Sequence, residues 1–538
     1  MEVPVVDADR RLRGPYTLGA ALLELLVPGA PAPLVEAHER EIRAAAPHLV
    51  QERSTGLAPG ERILIPGARR TLWLANGLAE FFRDALAEPV AVIADNLDEA
   101  DPTDAELVEV IRRRVPYLTI TPGESRPSGL PLPSDFGRYR DEGFHHAMAE
   151  SGLDALPRLE PSSEEWWTMI HRTAGALEAI EREDEAWELY QLARREGTEP
   201  KHRASVACSM ATLLVRHSDP SRRDPGEALG WINEAITITS LLPDPHERAF
   251  HLGFDLNTRA LVEVRLGRHD RAAALVEEAI VLAATLGERH PIHRMVLYAN
   301  RALLKGVSDA AVEDYTRAIA LDPDYPDYYL DRGVLLAKLG RDEEALADYE
   351  SAMRLGPPSP EPYYNRSELR FAAGDHQGAL ADLDYVLELD PAFAPAYVNR
   401  AGLLAEFGRY GEAAGDAARG LALDPANPHL LCVLGQVQAA AGRRAEAREA
   451  FDAALELQPD LVVAWASRGE LEYAQGHHEA AVADLTQALK LEESAELYFN
   501  RAVALRACGR EPEALEDLRH AASLDPDDED IRRELAQE

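Results

Sequence analysis

The sequence predicts a mainly α protein, a solenoid of helical hairpins preceded by a small α/β-like N-terminal domain. Three observations predict it. A pattern recurs every 34 residues through the C-terminal end of the chain. Within each period, two stretches about one amphipathic helix long flank a glycine. Ahead of the repeats lies an apolar run of strand character, which the hairpin pattern does not contain. At 538 residues the chain exceeds what one compact core needs, and a repeat architecture accounts for that length without several globular domains.

The first 150 residues form the α/β-like part. Helical periodicity runs through Thr17–Leu26, Leu34–Ala45 and Ala68–Leu86. The run Pro89–Asp95 then reads as a strand, followed by an acidic turn, a helix over Ala105–Arg114 and a second strand over Tyr117–Thr121. Thr103 or Asp104 is expected to cap that helix. Asp95, Asp98 and the tripeptide Ala100-Asp101-Pro102 carry a resemblance to ATPase modules of the signal-transduction (STAND/AAA-like) class. In that class such an acid holds magnesium or orients water. The chemistry also needs a phosphate cradle, and no G-x-x-x-x-G-K-[ST] precedes the strand. The first lysine of the chain is Lys201. Without that loop and its lysine the domain reads as a degenerate remnant used for docking.

The segment Thr121–Ser134 is rich in Pro, Gly and Ser and reads as a linker or exposed loop. A second break, Pro157–Glu164, precedes the helical array. Residues 164–294 read as divergent hairpins. Trp166 and Trp167 are expected to seal the first of them. Ala186, Tyr190 and Ala193 mark one second helix, and Ala228, Ile232 and Ala235 another. Gly267, Ala272 and Ala279 mark a further hairpin.

Residues 295–538 form the regular array. Its ruler is an arginine at 301, 332, 366, 400, 468 and 501, with Leu434 in the skipped slot. Each copy opens on a large residue (Tyr329, Tyr363, Tyr397, Leu431, Trp465, Tyr498). A small residue follows four positions later, then a turn glycine (Gly340, Gly374, Gly408, Gly442, Gly476, Gly509). A second run carries small alanines, and a proline closes most copies. Glycine supplies the left-handed turn, and proline cannot continue a helix. About ten hairpins follow from residue 164, seven of them regular, and Asp527–Gln537 reads as a polar capping helix. Over residues 295 to 527 the pattern resembles the tetratricopeptide repeat family. The resemblance implies a right-handed superhelix whose first helices line a concave groove.

Six of the seven regular copies pair that arginine with an aspartate in the second helix: Asp314, Asp348, Asp382, Asp416, Asp484 and Asp517. The seventh holds Leu434 and Ala450 at the two slots, so both partners vanish together. Leaving one member of a buried ion pair alone costs about 3–5 kcal/mol, whereas replacing both by apolar groups is often neutral. Contact between the two helices of each hairpin is therefore expected.

The resemblance also implies that the residue before the arginine binds peptide backbone. Here that ladder reads Asn300, Asp331, Asn365, Asn399, Val433, Ser467 and Asn500, and an Asn amide matches a backbone N–H and C=O together. Tyr364, Glu368 and Glu470 lie a turn away or beside it, with Asp327 and Glu361 adding negative charge. Arrays that clamp a carboxyl terminus use Lys and Arg there, so the expected ligand is instead an extended, neutral-to-basic protein segment. With 94 acidic against 56 basic residues and a formal charge of −38, a nucleic-acid backbone and an anionic membrane are disfavoured. No 18-residue apolar stretch and no secretory signal are read, and three unpaired cysteines suit a reducing cytoplasm. The adjacent histidines 145/146 and 477/478 point about 100° apart on a helix, and His290 and His293 lack an acidic companion, so no metal, cofactor or catalytic group is assigned. The expected function is a non-enzymatic scaffold or adaptor. The alternatives are a regulator whose N-terminal module binds nucleotide, and an accessory subunit that presents a peptide to a biosynthetic enzyme.

Overall fold

The computed structural model describes residues 3–50, 67–197, 199–287 and 289–536. Gln537, the last residue of the expected capping helix, lies outside them. The chain divides into two compact units, Met1–Asn365 and Arg366–Glu538.

The first unit begins with a three-stranded parallel sheet in the order β1 (Val5–Asp7), β2 (Val90–Asp95), β3 (Leu118–Pro122). Val5 pairs with Ile93 and Val90 with Leu118. β2 and β3 fall where the apolar runs place them. β1 is only three residues long, too short for a period to be legible, and was not anticipated. The predicted helix over 34–45 is two helices, Ala32–Ala37 and Glu39–Ala45, broken at His38, whose φ of −108° and ψ of 20° leave the helical region. The helix after β2 starts earlier than expected, at Pro102, and its cap is Asp101, whose carboxylate accepts from Thr103 N–H. Proline at the first helical position favours that start, because its missing N–H would have had no partner there. Thr103 and Asp104 are freed for other bonds.

Tyr16, Leu18, Leu22, Phe81, Phe82, Leu107 and Ile111 are fully buried between the sheet and the helices Thr17–Leu26, Gly67–Ala85 and Pro102–Arg114. This core does not stop at the Pro157–Glu164 break. It continues through Trp166, Trp167, Ile170 and Leu177 to Leu213, so the sheet region and the first hairpins share one apolar interior.

Ten helical hairpins follow between Glu164 and Leu524, the last capped by Glu529–Leu535, which buries Ile531. The upstream alanine signatures fall on second helices, Glu183–Glu196, Pro225–Ser240 and His269–Ala284. In the regular copies the turn glycine takes a positive φ, from 70° at Gly408 to 80° at Gly476, a backbone region costly for residues with a Cβ. Small residues in the first helix let the second approach: at Gly333 an added Cβ would lie 2.6 Å from the Tyr349 ring, and at Gly435 2.5 Å from Phe451.

Candidate peptide-binding face

The arginine column sets the geometry of the face. In all six copies the guanidinium forks onto its aspartate with two bonds: 2.8 and 2.6 Å for Arg301–Asp314, 2.8 and 2.8 Å for Arg332–Asp348, 2.9 and 2.7 Å for Arg366–Asp382. Arg400–Asp416, Arg468–Asp484 and Arg501–Asp517 repeat it at 2.7–2.8 Å. The aspartates are buried. Burial alone would raise the Asp314 carboxyl, but Arg301 and Lys305 outweigh it and hold the group below its ordinary value. The remaining nitrogen of the fork reaches the second helix of the preceding hairpin, Arg332 to Thr316 at 2.9 Å, Arg400 to Asp384 at 2.8 Å and Arg468 to Asp452 at 2.5 Å. Each such arginine therefore ties three helices. The opening aromatic packs over it, with Trp465 4.7 Å from the Arg468 guanidinium carbon.

With the arginine turned toward the second helix, the residue before it turns away. Successive first helices, such as Ala394–Glu406, Pro428–Ala440 and Val462–Ala474, lie against one another, whereas each second helix packs on its own first helix and on the first helix of the next hairpin. The first helices thus line one face. All nine expected groove residues are half-buried or exposed, and none joins a core.

In the first unit, Asn300 donates to Asn257 Oδ1 at 2.8 Å, one first helix back. Asp331 is exposed, and the surrounding protein, then the Asp327 carboxylate, push its carboxyl up to about 6. Tyr364 and Asn365 are half-buried on Pro360–Ala372. In the second unit, Ser467 accepts from Gln436 Nε2 at 3.0 Å, and Asn500 donates to Glu470 Oε1 at 3.2 Å. Burial, then Glu496, raises the Glu470 carboxyl. Glu368 and Asn399 meet at a cavity of about 690 Å³, whose floor includes Val433 and Cys432 and whose edge carries Phe371 and Tyr410. Asn300, Ser467 and Asn500 are thus each linked to a neighbouring first helix.

Sequence models of the tetratricopeptide repeat match residues 326–357, 364–428, 428–461 and 466–529, and a TPR repeat model matches 301–340. The chain carries tetratricopeptide repeats. Among solved structures, a tetratricopeptide repeat protein from Parabacteroides merdae is similar over 46% of this chain and 98% of its own, with 21% identity and a TM-score of 0.40. The APC/C hetero-tetramer Cut9–Hcn1 is similar over 75% of this chain and 88% of its own, with 15% identity and a TM-score of 0.40. MamA from Desulfovibrio magneticus is similar over 31% and 94%, with 23% identity and a TM-score of 0.28. No curated protein sequence matches the chain.

The tetratricopeptide repeat pattern points to the ladder but not to everything on the face. Asn257 lies in a divergent hairpin with no arginine ruler, so its alignment with Asn300 was hidden. Gly402, Glu406, Tyr410 and Gln436 line the cavity and lie outside the ladder column. A usable signal was present: Glu406, Phe407 and Tyr410 cluster about one turn glycine with their side chains exposed.

Ahead of the tetratricopeptide repeats, Asp95 accepts from Glu124 N–H at 2.8 Å and Asp98 from Ser125 Oγ at 2.8 Å. Asp104 is fully buried and accepts from Leu18 N–H at 3.0 Å and Gly19 N–H at 2.9 Å, at the start of the helix Thr17–Leu26. Thr103 Oγ1 takes Tyr16 N–H at 3.0 Å. The amides at that helix start, where an anion would otherwise bind, are occupied by the protein's own side chains.

Proposed function

We propose that this chain is a non-enzymatic scaffold that holds a protein partner, as an extended segment, against the face formed by the first helices of its tetratricopeptide repeats. Repeats of this kind typically serve as protein-interaction scaffolds. One observation supports the reading: in each unit the ladder-associated polar and aromatic residues are withheld from the core, on first helices whose arginines are turned to the second helix, Asn300, Asp331, Tyr364 and Asn365 in the first unit and Glu368, Asn399, Ser467, Glu470 and Asn500 in the second. Folding gains less from such a polar row than from buried apolar contacts in the same places. The net charge of −38 supports a neutral-to-basic partner. The three free thiols suit a reducing, cytoplasmic setting.

The test is capture with the full chain from its native cells, in parallel with a variant carrying Asn365→Ala, Asn399→Ala and Asn500→Ala. The expected result is a captured protein that the variant loses while its circular dichroism and melting stay unchanged. A partner retained with equal affinity by the variant would overturn the ladder's role.

A further inference from the structure

One position in the array breaks two columns at once. The copy that lacks the arginine and aspartate also lacks the polar ladder residue, so Val433 and Leu434 replace the usual polar pair. Its first helix floors the cavity of about 690 Å³. The wall opposite is opened by a second departure. The slot two residues after the arginine carries a side chain in every other regular copy: Leu303, Val334, Glu368, Gln436, Glu470 and Val503. At this point the slot holds Gly402, which lines the cavity. Glycine in a helix interior is destabilising by about 1 kcal/mol relative to alanine. Here no backbone reason offsets that cost, because Gly402 is not among the positive-φ glycines and an added Cβ would meet nothing within 4 Å. What the glycine provides is space.

The rim of that space has its own chemistry. Phe371, Tyr410 and Val463 are 44%, 42% and 48% exposed, an apolar surface left open beside the cavity. Glu368 and Glu406 are exposed at the same rim, and neither has an ion-pair partner among the described residues. The arginines nearby are engaged, Arg370 with Asp382 at 2.8 Å and Arg409 with Glu412. An apolar socket bordered by two unpaired carboxylates complements a bulky apolar side chain next to a cation.

We infer that this cavity is an anchor site for a bulky aliphatic or aromatic residue of the partner segment, flanked in that segment by a lysine or arginine held at Glu368 and Glu406. The inference rests on the scaffold reading and specifies its ligand. The polar ladder then meets backbone on either side of the anchor, and the socket sets register.

The experiment selects displayed random dodecapeptides on the full chain and measures binding of the enriched peptides, made synthetically, to variants. Gly402→Leu restores the side chain that Leu303 carries at the same slot and fills the socket while improving helix propensity. The paired change Glu368→Lys with Glu406→Lys reverses the rim. The expected peptides share a large apolar residue beside Lys or Arg, lose roughly tenfold or more in affinity on Gly402→Leu, and give way to acidic-flanked sequences when selection is repeated on the reversed rim. Enriched peptides that ignore Gly402→Leu yet weaken on Asn500→Ala with Glu470→Gln would overturn the anchor and leave the scaffold reading standing. Peptides insensitive to all of these changes, or no enrichment, would overturn both.

Discussion

Arg400 forks onto Asp416 with both bonds at 2.7 Å and sends its remaining nitrogen to Asp384 of the hairpin before. Losing the guanidinium leaves a buried carboxylate without its fork, so the two members of the pair are unequal targets. Arg400→Leu should lower stability by about 3 kcal/mol, near the low end for buried pairs. Arg400 keeps some solvent access, and Arg419 stands 3.7 Å from Asp416, close enough to compensate in part. Adding Asp416→Ala should recover at least half of the loss, because the stranded charge disappears with its partner. Urea unfolding of the wild type, both singles and the double closes the cycle, and strictly additive losses would contradict the coupling that the geometry shows. The Leu434/Ala450 copy is the same double replacement made by the sequence itself. There Ala450 is buried at 8% exposure, and Leu434 packs on the neighbouring apolar cluster.

At the scale of the element, two glycines of similar appearance have opposite requirements. Gly442 turns the chain between Pro428–Ala440 and Arg444–Leu457 with a φ of 76°, so Gly442→Ala should destabilise by about 1 kcal/mol. Gly402 sits inside a helix, and Gly402→Ala should stabilise by about 0.5–1 kcal/mol, a difference in sign that thermal melting of the two variants reads directly. The helices flanking the sheet give a prediction in pH. Burial pushes the Asp104 carboxyl up to about 7, more than its bonds from Gly19 and Leu18 hold it down. In the unfolded chain an aspartate ionises near pH ~4. Between those values the unfolded state releases a proton that the folded state keeps, so the contribution of Asp104 to stability falls as pH rises from about 4 to 7 and levels above that. Glu178, raised to about 7, and Asp255, raised to about 6, both chiefly by burial, act in the same direction. Burial lowers His145 and His293 to about 4, and they act in the opposite direction below pH ~6.5. The readout is therefore the difference: in denaturant unfolding at pH 5, 6 and 7, Asp104→Asn should lose less stability than the wild type as pH rises.

Over the whole molecule, what was legible in the sequence follows the reach of its periodicity. The 34-residue ruler locates the seven regular hairpins and small alanines mark the three upstream, and the joint loss at Leu434 and Ala450 exposes the Arg–Asp pairing, because a repeat supplies its own internal comparison. Where nothing repeats, single residues were read less well. Asp101 rather than Thr103 or Asp104 caps its helix, β1 was too short to carry a pattern, and the ladder's bonds to Asn257 and Gln436 depend on how neighbouring hairpins stack. The cavity escaped for a related reason: it is made by a missing side chain at Gly402, and absence has no hydropathy. The freed Asp104 bears on the nucleotide-binding alternative. A phosphate at the start of Thr17–Leu26 would need the amides of Leu18 and Gly19, and the buried Asp104 carboxyl group already accepts from both. Displacing it would set two anionic groups against the same amides without a lysine to offset them, since the first lysine in the chain is Lys201. Titration of the full chain with ATP and magnesium should therefore give no saturable heat at micromolar concentrations. Asp104→Asn should not create binding, because the side chain still fills the position. Micromolar affinity in the wild type would show that Asp104 yields its amides to phosphate, and would return the N-terminal module to the role of a nucleotide sensor.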